Sequence, residues 1–260
     1  MGRLPSVFVS HGSPMLILED VPARTFLTQL PAALGTPRAI VAISGHDVAR
    51  APSVGAAPIH EAVHDFYGFP QALYELRYEP PGHPALARNV LARLADAGIA
   101  ATLHDEPGLD HGIWAPLKLM YPDARIPVVA LALTASMDAA MHIAMGRALE
   151  PLRDDSVLVM GSGSFTHNLR EMQRPDAAAA TPEYVREFGD WIVRTLERHD
   201  DDALAHWRQQ APHATRAHPT AEHFEPLLVA YGAGGLQSRV EHLHSSTTHG
   251  ALAMDAFAFH

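Results

Sequence analysis

Histidine is the residue type that most invites a chemical reading, at 18 of 260 residues. Imidazole is the commonest protein metal ligand and titrates near neutrality. The chain has no cysteine, which excludes disulfides, iron–sulfur clusters and thiolate zinc sites together and favours N/O metal chemistry. Three of the histidines share one context. His11 follows Ser6-Val7-Phe8-Val9-Ser10 and precedes Gly12-Ser13-Pro14. His46 follows Ile40-Val41-Ala42-Ile43-Ser44-Gly45, and His167 follows Val157-Leu158-Val159-Met160 and then Gly161-Ser162-Gly163-Ser164-Phe165-Thr166. Each apolar run gives way to a Gly/Ser turn that presents an imidazole. Ligands of open α/β sheets bind outside the carboxyl ends of the strands, so imidazoles delivered there from three strands can converge on one ion. A single histidine in such a place would more often cap a strand or bond a loop carbonyl. His223 is a fourth candidate, expected in a first helical turn that Thr220 caps and whose positive dipole end suits Glu222. His111 is a fifth, on a loop of apolar residues with no helical or strand period to explain it as core. The remaining histidines, His83, His104 and His142 among them, lack this context and read mostly as surface or capping residues.

A competing motif is present. His60-Glu61-Ala62-Val63-His64 fits H-E-x-x-H, the zinc metallopeptidase helix in which two histidines hold the metal and the glutamate is general base. Its setting argues against it: Pro58 and Pro70 bracket the segment, and no extended apolar helix carries it. Tyr67 stands where the longer form of the motif needs glycine. Gly161-Ser162-Gly163-Ser164 lacks the third glycine and the lysine of phosphate loops and reads as a flexible turn presenting His167. No G-x-S-x-G nucleophile elbow occurs.

The elements that must position these residues are short β-branched runs alternating with helical patterns. Strands are expected at Ser6–Ser10, Ala39–Ser44, Ile99–Leu103, Ile126–Leu133 and Val157–Met160, with a possible last strand over Leu252–Phe259. Helices are expected at Pro84–Gly98, Asp138–Leu152 and Pro182–His199. Near-continuous apolar strands alternating with helices predict an α/β fold in three layers, α/β/α, around a mostly parallel or mixed sheet covered on both faces. No repeat or linker divides residues 1–260, so one catalytic domain is expected, with a mobile loop at Ala177–Ala180. The formal net charge of −10 argues against a nucleic-acid footprint. The longest apolar run, Ile126–Leu133, is too short for the roughly 20 residues that span a bilayer. The first residues lack the apolar stretch of a signal peptide; their loose fit to a myristoylation pattern competes with the place of Ser6 in a strand. A cytoplasmic protein, monomeric or a small homo-oligomer, is the expectation.

Five segments in order, Ser10-His11-Gly12-Ser13-Pro14, Asp65-Phe66-Tyr67-Gly68-Phe69-Pro70, Gly108-Leu109-Asp110-His111-Gly112, Gly161 to Asn168, and Glu222-His223-Phe224, resemble the class III extradiol dioxygenases, in particular the branch named for 4,5-DOPA dioxygenase. The match runs from near residue 8 to near 235. The resemblance implies one metal ion per chain held by His11, His46 and His223, with His167 beside it as a further ligand or as acid/base. It implies that His111 holds or protonates substrate without being a ligand, and that the reaction cleaves a catechol-type or aminophenol-type ring with O₂. Open coordination positions of this sort suit Fe(II). Three imidazoles, with His223 in place of a carboxylate, carry less negative charge and would also suit Zn(II). The chain departs from the family at Gly45, where alanine is commoner, and at Asp47, where an aromatic residue is usual; a carboxylate there would alter substrate choice or favour an amine-bearing ring. Ser13, Asp47, Phe66 and Tyr67 are expected to line the substrate pocket. The alternatives are the peptidase at His60 and His64 and a non-catalytic metal-binding relative.

Overall fold

A computed structural model describes residues 2–134, 138–173 and 180–260. Six strands form the central sheet: β1 (Ser6–Ser10), β2 (Ala39–Ser44), β3 (Val128–Ala130), β4 (Val157–Gly163), β5 (Val240–His244) and β6 (Ala256–Phe259). Their spatial order is β3-β2-β4-β1-β6-β5. The pairs β3–β2, β2–β4 and β4–β1 are parallel, whereas β6 pairs antiparallel with both β1 and β5. The sheet is therefore mixed with a parallel core, and its carboxyl edge collects the ends of β1, β2 and β4.

Strand alternation sends side chains to two apolar layers. Val7, Val9, Ile40, Ala42, Leu158 and Met160 face α1 (Pro22–Gln29) and α3 (His111–Met120), where they meet Leu27, Ile113, Trp114 and Leu117. On the other face Val41, Ile43, Val157 and Val159 pack with α2 (Pro84–Asp96), α4 (Ala139–Leu149) and α6 (Glu225–Gly234). Phe8, Phe257 and Phe259 join α5 (Glu183–Glu197) in a further cluster on that side. Both faces are covered, as the near-continuous apolar strands require. This is the three-layer arrangement expected from the sequence.

Several boundaries differ from expectation. The strand expected at Ile99–Leu103 is confined to Thr102–His104, because the Ile99 N–H turns back to the Leu94 carbonyl beyond α2; it pairs with Ser53–Gly55, outside the central sheet. The run Ile126–Leu133 splits after β3, and Leu133–Thr134 leaves the sheet to pair with Val48–Ala49. The helix expected to reach Leu152 stops at Leu149 and continues as a 3₁₀ segment containing Pro151. The loop expected at Ala177–Ala180 lies outside the described residues, Ala180 excepted. Among the described residues, no helix is long and apolar enough to cross a membrane.

Gly161-Ser162-Gly163 is no flexible turn. It completes β4, fully buried, and its glycines serve close approach. A Cβ at Gly161 would stand 2.1 Å from the Pro226 carbonyl oxygen, and one at Gly163 would stand 2.1 Å from that of His223. Side chains there would drive off the start of α6 and the turn before it.

Candidate metal centre

His11 leaves the end of β1 and His46 lies two residues beyond β2, as their strand-end context implied. His223 occupies a turn before α6, not its first turn. Pro226 at the first helical positions fixes the helix start at Glu225, and Thr220 donates its hydroxyl to the Glu222 carboxylate at 2.7 Å instead of capping. The Ser164 N–H donates to the His223 carbonyl at 2.9 Å, so the turn is tied to the end of β4. His46 Nε2 lies 3.2 Å from His11 Nε2 and 3.2 Å from His223 Nε2.

His11 and His223 have their other nitrogen hydrogen-bonded, whereas that of His46 faces a carboxylate at longer range. His11 Nδ1 lies 3.0 Å from Ser162 Oγ, whose proton goes to the Gly112 carbonyl. His223 Nδ1 lies 3.3 Å from Glu222 Oε1, and His46 Nδ1 is 3.7 Å from Asp65 Oδ2. The carboxylates only accept and the Ser162 proton goes elsewhere, an arrangement that favours the proton on Nδ1 and turns the Nε2 lone pairs toward one point. Facing lone pairs repel, a cost that the groups on Nδ1 impose and that a cation between the rings would relieve. Two nitrogens about 2.1 Å from a shared ion stand about 3.0 Å apart at a right angle and about 3.4 Å apart at the tetrahedral angle; the observed spacing falls between. The residues fit a metal ion. Burial, with His46 and His223 adding to it, holds His11 well below the usual imidazole range. Burial, with His111 and His223, brings His46 down to about 3 against the opposing pull of Asp65 and Glu222. Both rings are neutral at pH 7, as ligands must be.

His167 lies flat on His223, ring centroids 3.5 Å apart and planes 9° from parallel. An ion held in the plane of His223 would lie out of the plane of His167, which favours an acid/base role for the stacked ring, although His167, Glu222 and His223 also stand close enough to share an ion. Burial, then His223, lowers His167 to about 2, so it too is neutral. His111 opens α3 instead of sitting on a loop; its backbone N–H and its Nδ1 both go to Asp65 Oδ1, at 3.0 and 2.9 Å. That leaves Nε2 for the pocket. Its ring is 4.0 Å from that of His46 and edge-on to Phe66.

A cavity of about 270 Å³ opens over these groups, lined by Ser13, Pro14, His46, Asp65, Phe66, Phe69, His111, His167, Leu169, Met172 and Leu252. It has room for one aromatic ring between apolar walls. Two larger cavities, about 370 and 390 Å³, touch none of His11, His46 and His223; chemistry, not volume, distinguishes the site. Asp47 faces a separate cavity of about 210 Å³ with His104 and Glu106, so that His46 is the wall between them. Its carbonyl is held by the Leu133 N–H at 2.9 Å, fixing that orientation. Tyr67 is 92% exposed and Phe69 takes the wall position expected of it. His60 and His64 lie on non-helical chain; His60 donates Nε2–H to the Val128 carbonyl at 3.1 Å, and His64 packs on Phe66, Tyr74 and Trp114. Among the described residues no metal-binding group includes either. His142, expected at the surface, is buried against Glu225 at 2.7 Å. Asp65 and Ser162 are site residues that the sequence reading missed. Asp65 was legible as the polar residue opening the aromatic segment, whereas Ser162 carried no signal.

Fold and site define a class: an α/β protein that gathers imidazoles at the carboxyl edge of parallel strands, around a position suited to a metal ion. Residues 5–257 match the family described as the catalytic LigB subunit of aromatic ring-opening dioxygenase, and the chain belongs to that family. It is 37% identical over 256 residues to the 4,5-DOPA dioxygenase extradiol of Beta vulgaris, covering 97% of this chain and 95% of that one. It is 39% identical over 238 residues to the protein of that name in Escherichia coli K12, covering 89% and 85%. The crystal structure of an uncharacterised Escherichia coli K12 protein superposes with a TM-score of 0.83 at 31% identity, covering 99% of this chain and all of that one.

Proposed function

We infer that the chain is an extradiol dioxygenase that opens a catechol-type or aminophenol-type ring and incorporates both atoms of O₂, acting as a single catalytic domain in the cytoplasm. The carrying observation is the trio of Nε2 atoms, with that of His46 3.2 Å from those of both His11 and His223, under a cavity walled by aromatic and apolar side chains. His11, His46 and His223 would hold Fe(II) or Zn(II). Iron held there would supply the open coordination positions and the redox chemistry that O₂ requires. Phe66, Phe69, Leu169 and Met172 sandwich the ring and exclude water. The Ser13 hydroxyl, which accepts from the Met15 N–H at 3.3 Å, keeps its proton for a ring substituent or hydroxyl. His167, neutral and stacked over His223, accepts the hydroxyl proton of the ring and returns it as the ring opens. His111, oriented by Asp65, steadies the second ring oxygen or shares that proton. Proton transfer by a placed imidazole contributes about 10²–10⁴ in rate. The relatives named for 4,5-DOPA support a catechol carrying a side chain. Asp47, behind His46, is a pocket residue only through that ring.

The test is anaerobic reconstitution with Fe(II) or Zn(II), followed by O₂ uptake against a panel of substituted catechols and aminophenols. Stoichiometric O₂ consumption with a yellow ring-opened product from the iron form is expected. Binding of metal without O₂ uptake on any member would overturn the enzymatic reading in favour of a metal-binding relative.

A further inference from the structure

We infer that Pro116 and Ser162 together set the tautomer of His11, acting through the carbonyl of Gly112. In a helix the carbonyl of residue 112 receives the N–H of residue 116. Residue 116 of α3 is proline, which has no N–H to give. The buried Gly112 carbonyl takes the Ser162 hydroxyl proton instead, from β4 beneath the helix. A serine hydroxyl has one proton. Toward His11 Nδ1, 3.0 Å away, Ser162 is therefore restricted to accepting, and Nδ1 must hold the proton of the neutral ring. Nε2 is left bare, facing His46 Nε2 at 3.2 Å.

The device is specific to this ring. Asp65 and Glu222, the acidic groups nearest Nδ1 of His46 and His223 at 3.7 and 3.3 Å, are carboxylates and have no proton to offer. Ser162 can donate or accept, so its role has to be decided from elsewhere, and the missing N–H of Pro116 decides it. With an ordinary residue at 116 the helix N–H would compete with Ser162 for the Gly112 carbonyl and weaken its hold on the hydroxyl proton. Ser162 would then be free to donate to Nδ1 and to push the ring proton onto Nε2, where an ion should bind. Glycine at 112 completes the arrangement, since a Cβ there would stand 2.4 Å from Ser44 Oγ and 3.0 Å from His11 Cε1. Ser162 and Pro116 are positioning residues.

The tautomer is read directly in metal-free protein labelled with ¹⁵N-histidine, by long-range ¹H–¹⁵N correlation, the His11 signals being assigned by their loss in His11→Gln. The wild type is expected to show protonated Nδ1, and Pro116→Ala and Ser162→Ala to populate protonated Nε2. Zn(II) affinity, measured by competition with a chromophoric chelator, is expected to fall about 10–100-fold in both variants, with Ser162→Thr close to wild type. Pro116→Ala should melt no lower than wild type, because its helix regains a hydrogen bond; a merely structural proline would move stability and leave affinity alone. An unshifted His11 tautomer in both variants, or unchanged zinc affinity, overturns the inference. Its consequence for affinity rests on the proposed metal centre. Wild-type protein with protonated Nδ1 but no zinc binding would overturn that centre while supporting the tautomer assignment.

Discussion

The division of roles proposed for His167 and His223 rests on their rings lying parallel. An ion held in the plane of His223 would lie outside a plane 3.5 Å away, so replacing the two residues should have opposite signatures. His11→Ala, His46→Ala and His223→Ala are expected to purify without stoichiometric metal. His167→Gln should retain both metal and catechol binding while turnover drops by about 10²–10⁴. Metal content by elemental analysis alongside kcat separates the two groups; metal loss in His167→Gln equal to that in His11→Ala would make it a ligand. Asp47 gives a second contrast. It sits across His46 from the ring cavity, so Asp47→Asn should alter the relative rates among substituted catechols by less than about threefold, near the scatter of ordinary surface changes.

At the scale of elements, β4 carries the arrangement. Its last residues put Ser162 under His11 and let the His223 turn lie against bare backbone, as the 2.1 Å approach of a hypothetical Gly163 Cβ to the His223 carbonyl shows. Gly163→Ala should displace that turn. An expected destabilisation of about 1–3 kcal/mol, typical of overpacking, should be accompanied by weakened metal binding, whereas Gly98→Ala, at a helix end with open space around it, should leave metal affinity unchanged. Denaturant melts and zinc titration of the pair test this. The same strand shows what the sequence discloses. Val157–Met160 was readable from its apolar run, and the strand-end places of His11 and His46 followed from Gly and Ser after such runs. Gly161-Ser162-Gly163 was misread as a turn because glycine signals both chain reversal and close backbone approach, and only the position of α6 tells which. Ser162 was invisible because its partners, His11 and Gly112, lie 151 and 50 residues away. Pro116 disguises the helix that His111 opens, so that the sequence there reads as a loop.

Across the whole molecule, five imidazoles from positions 11, 46, 111, 167 and 223 meet at one sheet edge, and a sixth, His218, is buried behind them without facing the cavity. His218 is fully enclosed by Phe188, Trp207 and Phe224 and lies 3.0 Å from the Phe165 carbonyl through Nε2. That bond requires Nε2–H, and a second proton on Nδ1 would find no partner. Burial brings the group down from 6.5 to about 3, the backbone bond to Phe165 opposing and His223 adding to the fall. Below about pH 6.5 the unfolded chain takes up a proton here that the folded chain refuses, so folded stability is complete above that pH and declines as pH falls toward 3. One such histidine costs about 1.4 kcal/mol per pH unit within the window, or about 2 kcal/mol between pH 7 and pH 5. The metal-loaded protein is the proper subject, because ions at His11, His46 and His223 would contribute their own pH dependence equally to both chains compared. His218→Gln should be less stable than wild type at pH 7, having lost ring packing, yet lose about 2 kcal/mol less on going to pH 5. Urea unfolding of the two proteins at both pH values measures that difference, and parallel declines would show that His218 is not the group that refuses the proton.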